Sequence, residues 1–247
     1  MSLRTRLVNP ASKRECNREL FTVIAPEYDR VTRPLSLFGD QRWKRIMVQN
    51  VPFFRKPVIV DFACGTGDLT GRLAARFADG YVVGADITPA MLRLAKARES
   101  QIGTGRVGCS LADMCFPPFK SGSADIVTGG YALRNAPDLP VFLHELHRIL
   151  RPGGVACFLD FSRPANRLAG RVQYAVLRLW GGLFGLLLHR RPEVYGYIAD
   201  SLRLFPDRKS LESLIRTCGF EEVATRTFYA GTMAIVTFRR PGDKGIL

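Results

Sequence analysis

The sequence is short of several things, and each shortage closes off a class of protein. Its 6 cysteines, at positions 16, 64, 109, 115, 157 and 218, form no C-x-x-C pair. That gives no basis for a zinc ribbon, a redox dithiol or a disulfide framework, and buried reduced thiols are the expected state. Only 3 histidines are present, His144, His147 and His189. The first two stand three apart on one predicted helix with no third ligand, so no metal is expected. Acid is scarce: 22 Asp and Glu face 36 Lys and Arg, for a net charge of +14. Between Phe161 and Pro192 there is none at all. Such a balance favours anionic partners, whether nucleic acid, acidic lipid or phosphorylated substrate. Long apolar runs are missing too. The most apolar stretch, Leu179–Leu188, is bracketed by Arg178 and Arg190 and is half the ~20 residues a spanning helix needs. The N-terminus, MSLRTRLVNPASKREC, lacks the apolar core of a signal peptide. The expectation is a cytoplasmic protein, either soluble or held peripherally at the inner face of the cytoplasmic membrane.

What the sequence does have is alternation. Val58–Phe62 is an apolar run ending in a glycine-rich loop. Asp68–Phe77 sets Leu69, Leu73 and Phe77 on one helical face. Tyr81–Asp86 is the next strand, and Pro89 opens a helix that runs to about Ala97. Val107–Leu111 and Ala124–Thr128 are further strands. Val141–Leu150 is a helix stopped by Pro152-Gly153-Gly154, and Val155–Phe161 is a strand. Asp207–Cys218 is one more helix, after which Phe220–Thr227 and Thr232–Arg239 pair as a hairpin. Strand and helix in turn imply an α/β fold: a mostly parallel sheet, helices on both faces, and one antiparallel strand from the hairpin. Two segments stand outside. Residues 1–50 are helical and basic, and residues 162–206 form an insertion. The predicted organisation is a helical cap over 1–50 and a domain over 51–247 that carries 162–206 as a lid. Both coverings fall at the carboxyl edge of the sheet, where open α/β folds bind ligands.

The sharpest motif is VIVDFACGTGD, residues 58–68. A strand ends near Asp61, a Gly-x-Gly turn follows, and a helix opens at Asp68. Gly65 and Gly67 let backbone approach a ligand with no side chain between. Asp86 closes the second strand, where a carboxylate can accept both hydroxyls of a ribose. A nicotinamide dehydrogenase would use the same logic. However, the third glycine of its fingerprint falls here on Thr70, and an acid opens the helix where a pyrophosphate would want bare dipole charge. A cationic sulfonium with an amino group suits an acidic turn better, with Asp61 facing that amino group. Asp113 ends the third strand and would meet an adenine amino group, while Ile87 covers the adenine face. S-adenosylmethionine is the expected cofactor.

The runs DFACGTGD, ADITPAML, LADMCFPPF, YALRNAPD and LHELHRILRPGG resemble the class I S-adenosylmethionine-dependent methyltransferases. Within them the chain is similar to the ubiquinone/menaquinone biosynthesis C-methyltransferases. Its N-terminal IAPEYDRVTRPLSLFGDQRWKR and its tail VYGYIADSLRLFPDRKSLESLIRTCGFEEV carry the likeness too. The resemblance implies a Rossmann-like fold with a seven-stranded sheet, and a prenylated, lipophilic quinol as methyl acceptor. Ala63, Thr66, Thr70, Ala112, Met114 and Gly130 complete the expected cofactor-binding set. Three positions depart from the family's habit: Asp40 stands for His, Val31-Thr32-Arg33 for Met-Asn-Asp, and Gly130 for Ser.

After the fourth strand comes Arg134-Asn135. The loop there offers neither the Asn/Asp-Pro-Pro-aromatic motif of amino methylation nor a cysteine nucleophile. Carbon methylation of a quinol needs electron density pushed from a ring oxygen and a ring proton removed. By resemblance, Arg134 steadies the phenolate or positions the water that takes the proton. Asn135 holds a ring oxygen, Tyr28 orients the ring or relays the proton, and Asp29 fixes Arg134 by an ion pair. The plainer role for Arg134 is a structural ion pair at the sheet edge.

Arg163, Arg167, Arg171 and Arg178 recur at helical spacing, with Val172, Ala175, Val176, Leu179 and Leu183 largely on another face. This describes either a helix packed on the domain or one that rests on anionic lipid. The oligomeric state stays open, a homodimer included. The competing functions are a small-molecule O-, N- or C-methyltransferase of another pathway and an RNA-binding protein or RNA methyltransferase. No nucleic-acid partner is expected, since no appended RNA domain can be recognised.

Overall fold

The computed structural model describes residues 3–36, 38–102, 105–164, 166–190 and 193–242. Four helices lead: α1 (Leu3–Val8), α2 (Pro10–Ile24), α3 (Tyr28–Leu35) and α4 (Asp40–Asn50). Asn9 caps α2 by accepting from the backbone N–H of Ala11 and Ser12 at 3.0 and 3.3 Å, which satisfies donors that a helix start leaves bare. The alternation follows: β1 (Val58–Phe62), α5 (Asp68–Arg76), β2 (Tyr81–Asp86), α6 (Pro89–Ile102), β3 (Val107–Leu111), β4 (Ala124–Gly130), α7 (Leu139–Ile149) and β5 (Leu150–Phe161). The insertion is two helices, α8 (Arg167–His189) and α9 (Glu193–Leu204), before α10 (Arg208–Thr217), β6 (Glu221–Phe228) and β7 (Met233–Arg239).

The strands form one sheet in the order β3-β2-β1-β4-β5-β7-β6. β1 to β5 are parallel, and β7 runs antiparallel between β5 and β6. The parallel strands read as continuous apolar runs because both their faces are covered. Val60 and Phe62 point to the side packed by Phe142, Leu146 and Phe158, and Ile59 to the side packed by Met47 and Leu73. The winding reverses at β1, between β2 and β4. A crevice therefore opens at the carboxyl ends of these strands.

Several elements outrun their sequence-based bounds. α7 starts at Leu139 because Asp138 caps it, accepting from Val141 N at 3.1 Å. β5 starts at Leu150, five residues early, across an irregular register beside Ala124 and Ile126. β4 runs on through Gly129 and Gly130. Gly129 is required there: a Cβ would come within 2.8 Å of the Phe158 ring and 2.7 Å of the Ala132 methyl. Gly129→Ala should therefore lower stability by about 1–3 kcal/mol, the usual cost of overpacking a core. Urea unfolding would read the change. An unchanged midpoint would mean that β4 gives way more easily than this contact indicates.

Candidate active site

The crevice holds a cavity of about 640 Å³, lined by Ala63, Gly65, Asp86, Ile87, Ala112, Asp113, Met114 and Gly130. All were expected at a cofactor. Ala63, Gly65 and Gly67 take positive φ values of 50, 55 and 81°. They fold the turn back over β2, so that Gly65 N donates to Asp86 Oδ2 at 2.9 Å. Thr88 N donates to Asp86 Oδ1 at 2.8 Å. The Thr88 hydroxyl and the Ile87 N–H bear on the same carboxylate. Burial pushes the Asp86 carboxyl above its ordinary range, against these backbone N–H groups. A pair of ligand hydroxyls would offset that desolvation.

Four expected cofactor residues lie behind the wall instead. Asp61 does not line the cavity and is wholly buried. Its Oδ2 accepts from the Thr70 hydroxyl at 2.7 Å and its Oδ1 from the Thr128 hydroxyl at 2.8 Å. The carboxylate ties α5 to β1 and β4 rather than facing a ligand. Thr66 donates its hydroxyl to Asp29 Oδ1 at 2.8 Å. Gly67 allows a close approach to α6, where a Cβ would meet Ala95 Cα at 3.2 Å.

Burial pushes the Asp61 carboxyl up from 3.8 to about 6, against the two threonine hydroxyls. A carboxyl raised on folding contributes stability that is present below its unfolded pKa and lost as pH rises through the folded one. Two units correspond to about 3 kcal/mol. Wild type should thus lose about 3 kcal/mol relative to Asp61→Asn between about pH 4 and about pH 7. Urea unfolding of both proteins across that window checks this, and parallel pH curves would refute it.

Asp113 faces the cavity, but its Oδ2 is taken by Arg14 Nε of α2, while Cys115 N donates to Oδ1 at 2.9 Å. Arg14 was not foreseen, and it too lines the cavity. The donor set fits S-adenosylmethionine. A buried carboxylate in the cavity wall suits hydroxyls, Ile87, Met91 and Met114 offer apolar surface for a flat ring, and Asp113 suits an exocyclic amine.

A second cavity of about 600 Å³ lies against the first. Its walls are largely apolar, from α2 and α3 (Leu20, Ile24, Leu35), the end of β5 (Phe161) and α9 (Tyr195, Ile198). Phe21, Tyr28, Tyr131 and Asn135 line both cavities, so the two meet there. Burial pushes the Tyr28 hydroxyl up to about 12, which leaves it a neutral phenol at physiological pH and a donor rather than a base.

Arg134 lines the second cavity. The ion pair expected with Asp29 does not form. Asp29 turns toward α6 and takes Arg98 Nη2 at 2.6 Å, besides the Thr66 hydroxyl. Arg134 belongs to Asp160, at the end of β5: Nε lies 3.5 Å from Oδ1, and the Arg134 backbone N donates to Oδ2 at 2.9 Å. Its Nη1 donates to Ser201 Oγ of α9, and its guanidinium lies 5.4 Å from the Phe161 ring centre and 5.7 Å from that of Tyr197. Five N–H donors exceed these partners, so capacity remains for a ligand.

Asn135 is held from three sides. Its Nδ2 donates to Tyr131 O at 2.8 Å, its Oδ1 accepts from the Tyr197 hydroxyl at 2.8 Å, and its carbonyl accepts from Asn17 Nδ2 at 2.7 Å. Lys13 clamps the same loop by donating to Arg134 O at 3.1 Å and Ala136 O at 2.6 Å. Burial, then the Arg134 charge, pushes Lys13 down to about 8. Of the histidines, His144 is exposed, His147 packs on Phe220 at 5.3 Å, and the His189 side chain lies outside the described residues.

The pattern of the ubiE/COQ5 methyltransferase family matches residues 10–239. The chain belongs to this family. The match spans α2 through β7, and so includes the helix that supplies Lys13, Arg14 and Asn17. Among curated relatives, the 2-phytyl-1,4-naphtoquinone methyltransferase of Nostoc punctiforme is 36% identical over 221 residues, 89% of this chain and 96% of its own. The demethylmenaquinone methyltransferase of Geobacillus stearothermophilus is 31% identical over 225 residues, 91% of this chain and 96% of its own. A solved neighbour, phosphoethanolamine N-methyltransferase 2 of Haemonchus contortus in complex with S-adenosyl-L-methionine, superposes with a TM-score of 0.62 at 14% identity. The likeness covers 81% of this chain and 52% of that one, and it speaks for the fold. The protein is an S-adenosylmethionine-dependent methyltransferase.

Proposed function

We propose that this methyltransferase transfers a methyl group to a ring carbon of a prenylated quinol in menaquinone or ubiquinone biosynthesis, demethylmenaquinol first. The observation that carries the reading is the pair of abutting cavities. One is lined with acids and glycines; the other is apolar and has a guanidinium in its wall. The curated relatives are named for naphthoquinone substrates. In this reading residues 1–50 act as a cap, 162–206 as a lid, and the lipophilic acceptor is met at a membrane surface from the cytoplasmic side.

S-adenosylmethionine supplies an electrophilic methyl group. The chain's task is to present an electron-rich ring carbon to it. Arg134, its charge balanced by Asp160, faces the ring oxygen as that oxygen takes on phenolate character, a preorganised donor in a dry site. The second Nδ2 hydrogen of Asn135 reaches the same oxygen or its neighbour. Tyr28, as a neutral phenol at the junction, orients the ring. The ring proton leaves to a water held by Arg134. Asp29, committed to Arg98 and Thr66, has no part in this.

The test is incubation with S-adenosylmethionine and chemically reduced demethylmenaquinol, with a ubiquinone precursor in parallel and product mass as readout. Gain of one methylene on the ring is expected. If neither ring is methylated while S-adenosylmethionine still raises the melting temperature, the acceptor is another small molecule.

A further inference from the structure

α8 carries an apolar face that nothing among the described residues covers. Leu168, Val172, Val176, Leu179, Leu183 and Leu186 recur at steps of three and four, along one side of the helix. Leu168 is 70% exposed and Leu179 76%. A helix of a soluble protein turns such a stripe inward. Here the inward side is a different one: Gly181 lies so close to α9 that a Cβ would come within 2.6 Å of Tyr195 O.

One flank of the stripe is basic. Arg167 and Arg171 of α8, Arg163 before it and Arg203 of α9 line a groove of about 1070 Å³. Arg178, expected in that row, is diverted to Asp200 at 2.7 Å, and Arg203 takes its place from the neighbouring helix. Arg163 is steadied by donating to Arg203 O at 2.9 Å and Phe205 O at 3.0 Å. No carboxylate among the described residues forms an ion pair with any of these four arginines. Trp180, half exposed, lies on the stripe's other flank.

We infer that α8 and this groove dock the protein on an anionic phospholipid bilayer. The helix lies in the plane of the interface, its leucines and valines among the acyl chains, and Arg163, Arg167, Arg171 and Arg203 hold headgroup phosphates. The charge arrangement selects this occupant. A second copy meeting the stripe would bring the same acid-free segment, 161–192, and so no carboxylate from its own α8 to answer the arginines. A nucleic acid would leave the stripe in water. Guanidinium groups match phosphate oxygens in paired hydrogen bonds, and a basic flank beside an apolar stripe is what an interfacial helix needs. No helix among the described residues is long and apolar enough to cross a membrane, so α8 rests on the bilayer. It packs on α9 and α3, which wall the second cavity, so a lipid-borne molecule entering that cavity would pass beside it. The inference holds whichever acceptor is methylated.

The test is sedimentation of the full chain with vesicles of phosphatidylcholine, alone or mixed with phosphatidylglycerol. Binding should be at least about tenfold tighter to the anionic vesicles. Leu179→Ser with Leu183→Ser should abolish it at any ionic strength. Arg167→Glu with Arg171→Glu should remove the preference for anionic lipid. Circular dichroism and S-adenosylmethionine binding confirm that each variant is folded. Three results would overturn the inference. In one, wild type binds neither vesicle. In another, inorganic phosphate alone binds as tightly as anionic vesicles and the leucine variants change nothing, which marks a free-phosphate site. In the third, wild type is a dimer that the leucine variants dissociate, without vesicle binding, which assigns the stripe to a second copy.

Discussion

Arg134→Ala should lower kcat about 10²–10³-fold while leaving the affinity for S-adenosylmethionine unchanged. The argument begins with place. Arg134 lines the second cavity and not the first, so its loss leaves the cofactor's contacts standing. It continues with charge. A phenolate forms only as the reaction proceeds, so a guanidinium aimed at it stabilises the transition state more than the bound quinol, and the loss falls on kcat rather than KM. Because Arg134 is buried and partnered by Asp160, a purely structural role would give a different result: a lower melting temperature with turnover per folded molecule retained. Measuring kcat on the folded fraction, with S-adenosylmethionine affinity from thermal shift, separates the two. A fall of less than about tenfold per folded molecule would remove Arg134 from the chemistry. Arg134→Lys should restore little, since a point charge cannot reproduce the planar fork that Ser201, Asp160 and a ring oxygen share.

The strands were legible because buried parallel strands are unbroken apolar runs and their crossovers have helical period; their order was not, since no local signal says which strands pair. Eight of the twelve residues expected at a cofactor line the first cavity and four do not, and of those four Asp61 is the most instructive. Asp61, Asp86 and Asp113 gave the same signal, an acid near the end of a strand. Asp86 is the last residue of β2 and reaches the crevice. Asp61 is followed by Phe62 in β1 and lies between Gly84 and Thr128 in the sheet. Asp61 thus sits two register positions short of Asp86, and that depth decides whether a carboxylate reaches the crevice or stays in the core. Asp160 carries the same mark at the end of β5 and could have been read as the partner of Arg134. Asp29 stands beside Tyr28 in the sequence, but α3 directs it to Arg98 instead. The contributions of α2 were not legible. Lys13, Arg14 and Asn17 are polar, and nothing local separates a polar face that clamps a loop from one that faces water. Tyr197 and Ser201, four apart on α9, lie in the tail that carries the family likeness, but their roles were not legible, since their partners are some 60 residues away in sequence.

Asp160→Asn should cost about 3–5 kcal/mol of stability, because it leaves a buried guanidinium without its counter-charge. Arg134 and Asp160 are both almost wholly buried. Burial pushes the Asp160 carboxyl above its ordinary range, and the Arg134 charge and three hydrogen bonds pull against that. The pair is therefore retained at some cost, and its members are unequal when removed one at a time. An asparagine can still accept from the Arg134 backbone N–H, but its Nδ2 then faces the Phe161 N–H and Arg134 Nε that Oδ1 served, so the loss reports the charge together with that acceptor. Adding Arg134→Met to Asp160→Asn should recover most of the loss, since a guanidinium with no partner is worse than an apolar side chain of similar length. The double-mutant cycle in urea then gives the coupling directly. Additive losses would mean that the pair is screened more than its burial indicates. Recovery of stability without recovery of turnover would show that this charge is kept at the cavity wall for the reaction and not for the fold.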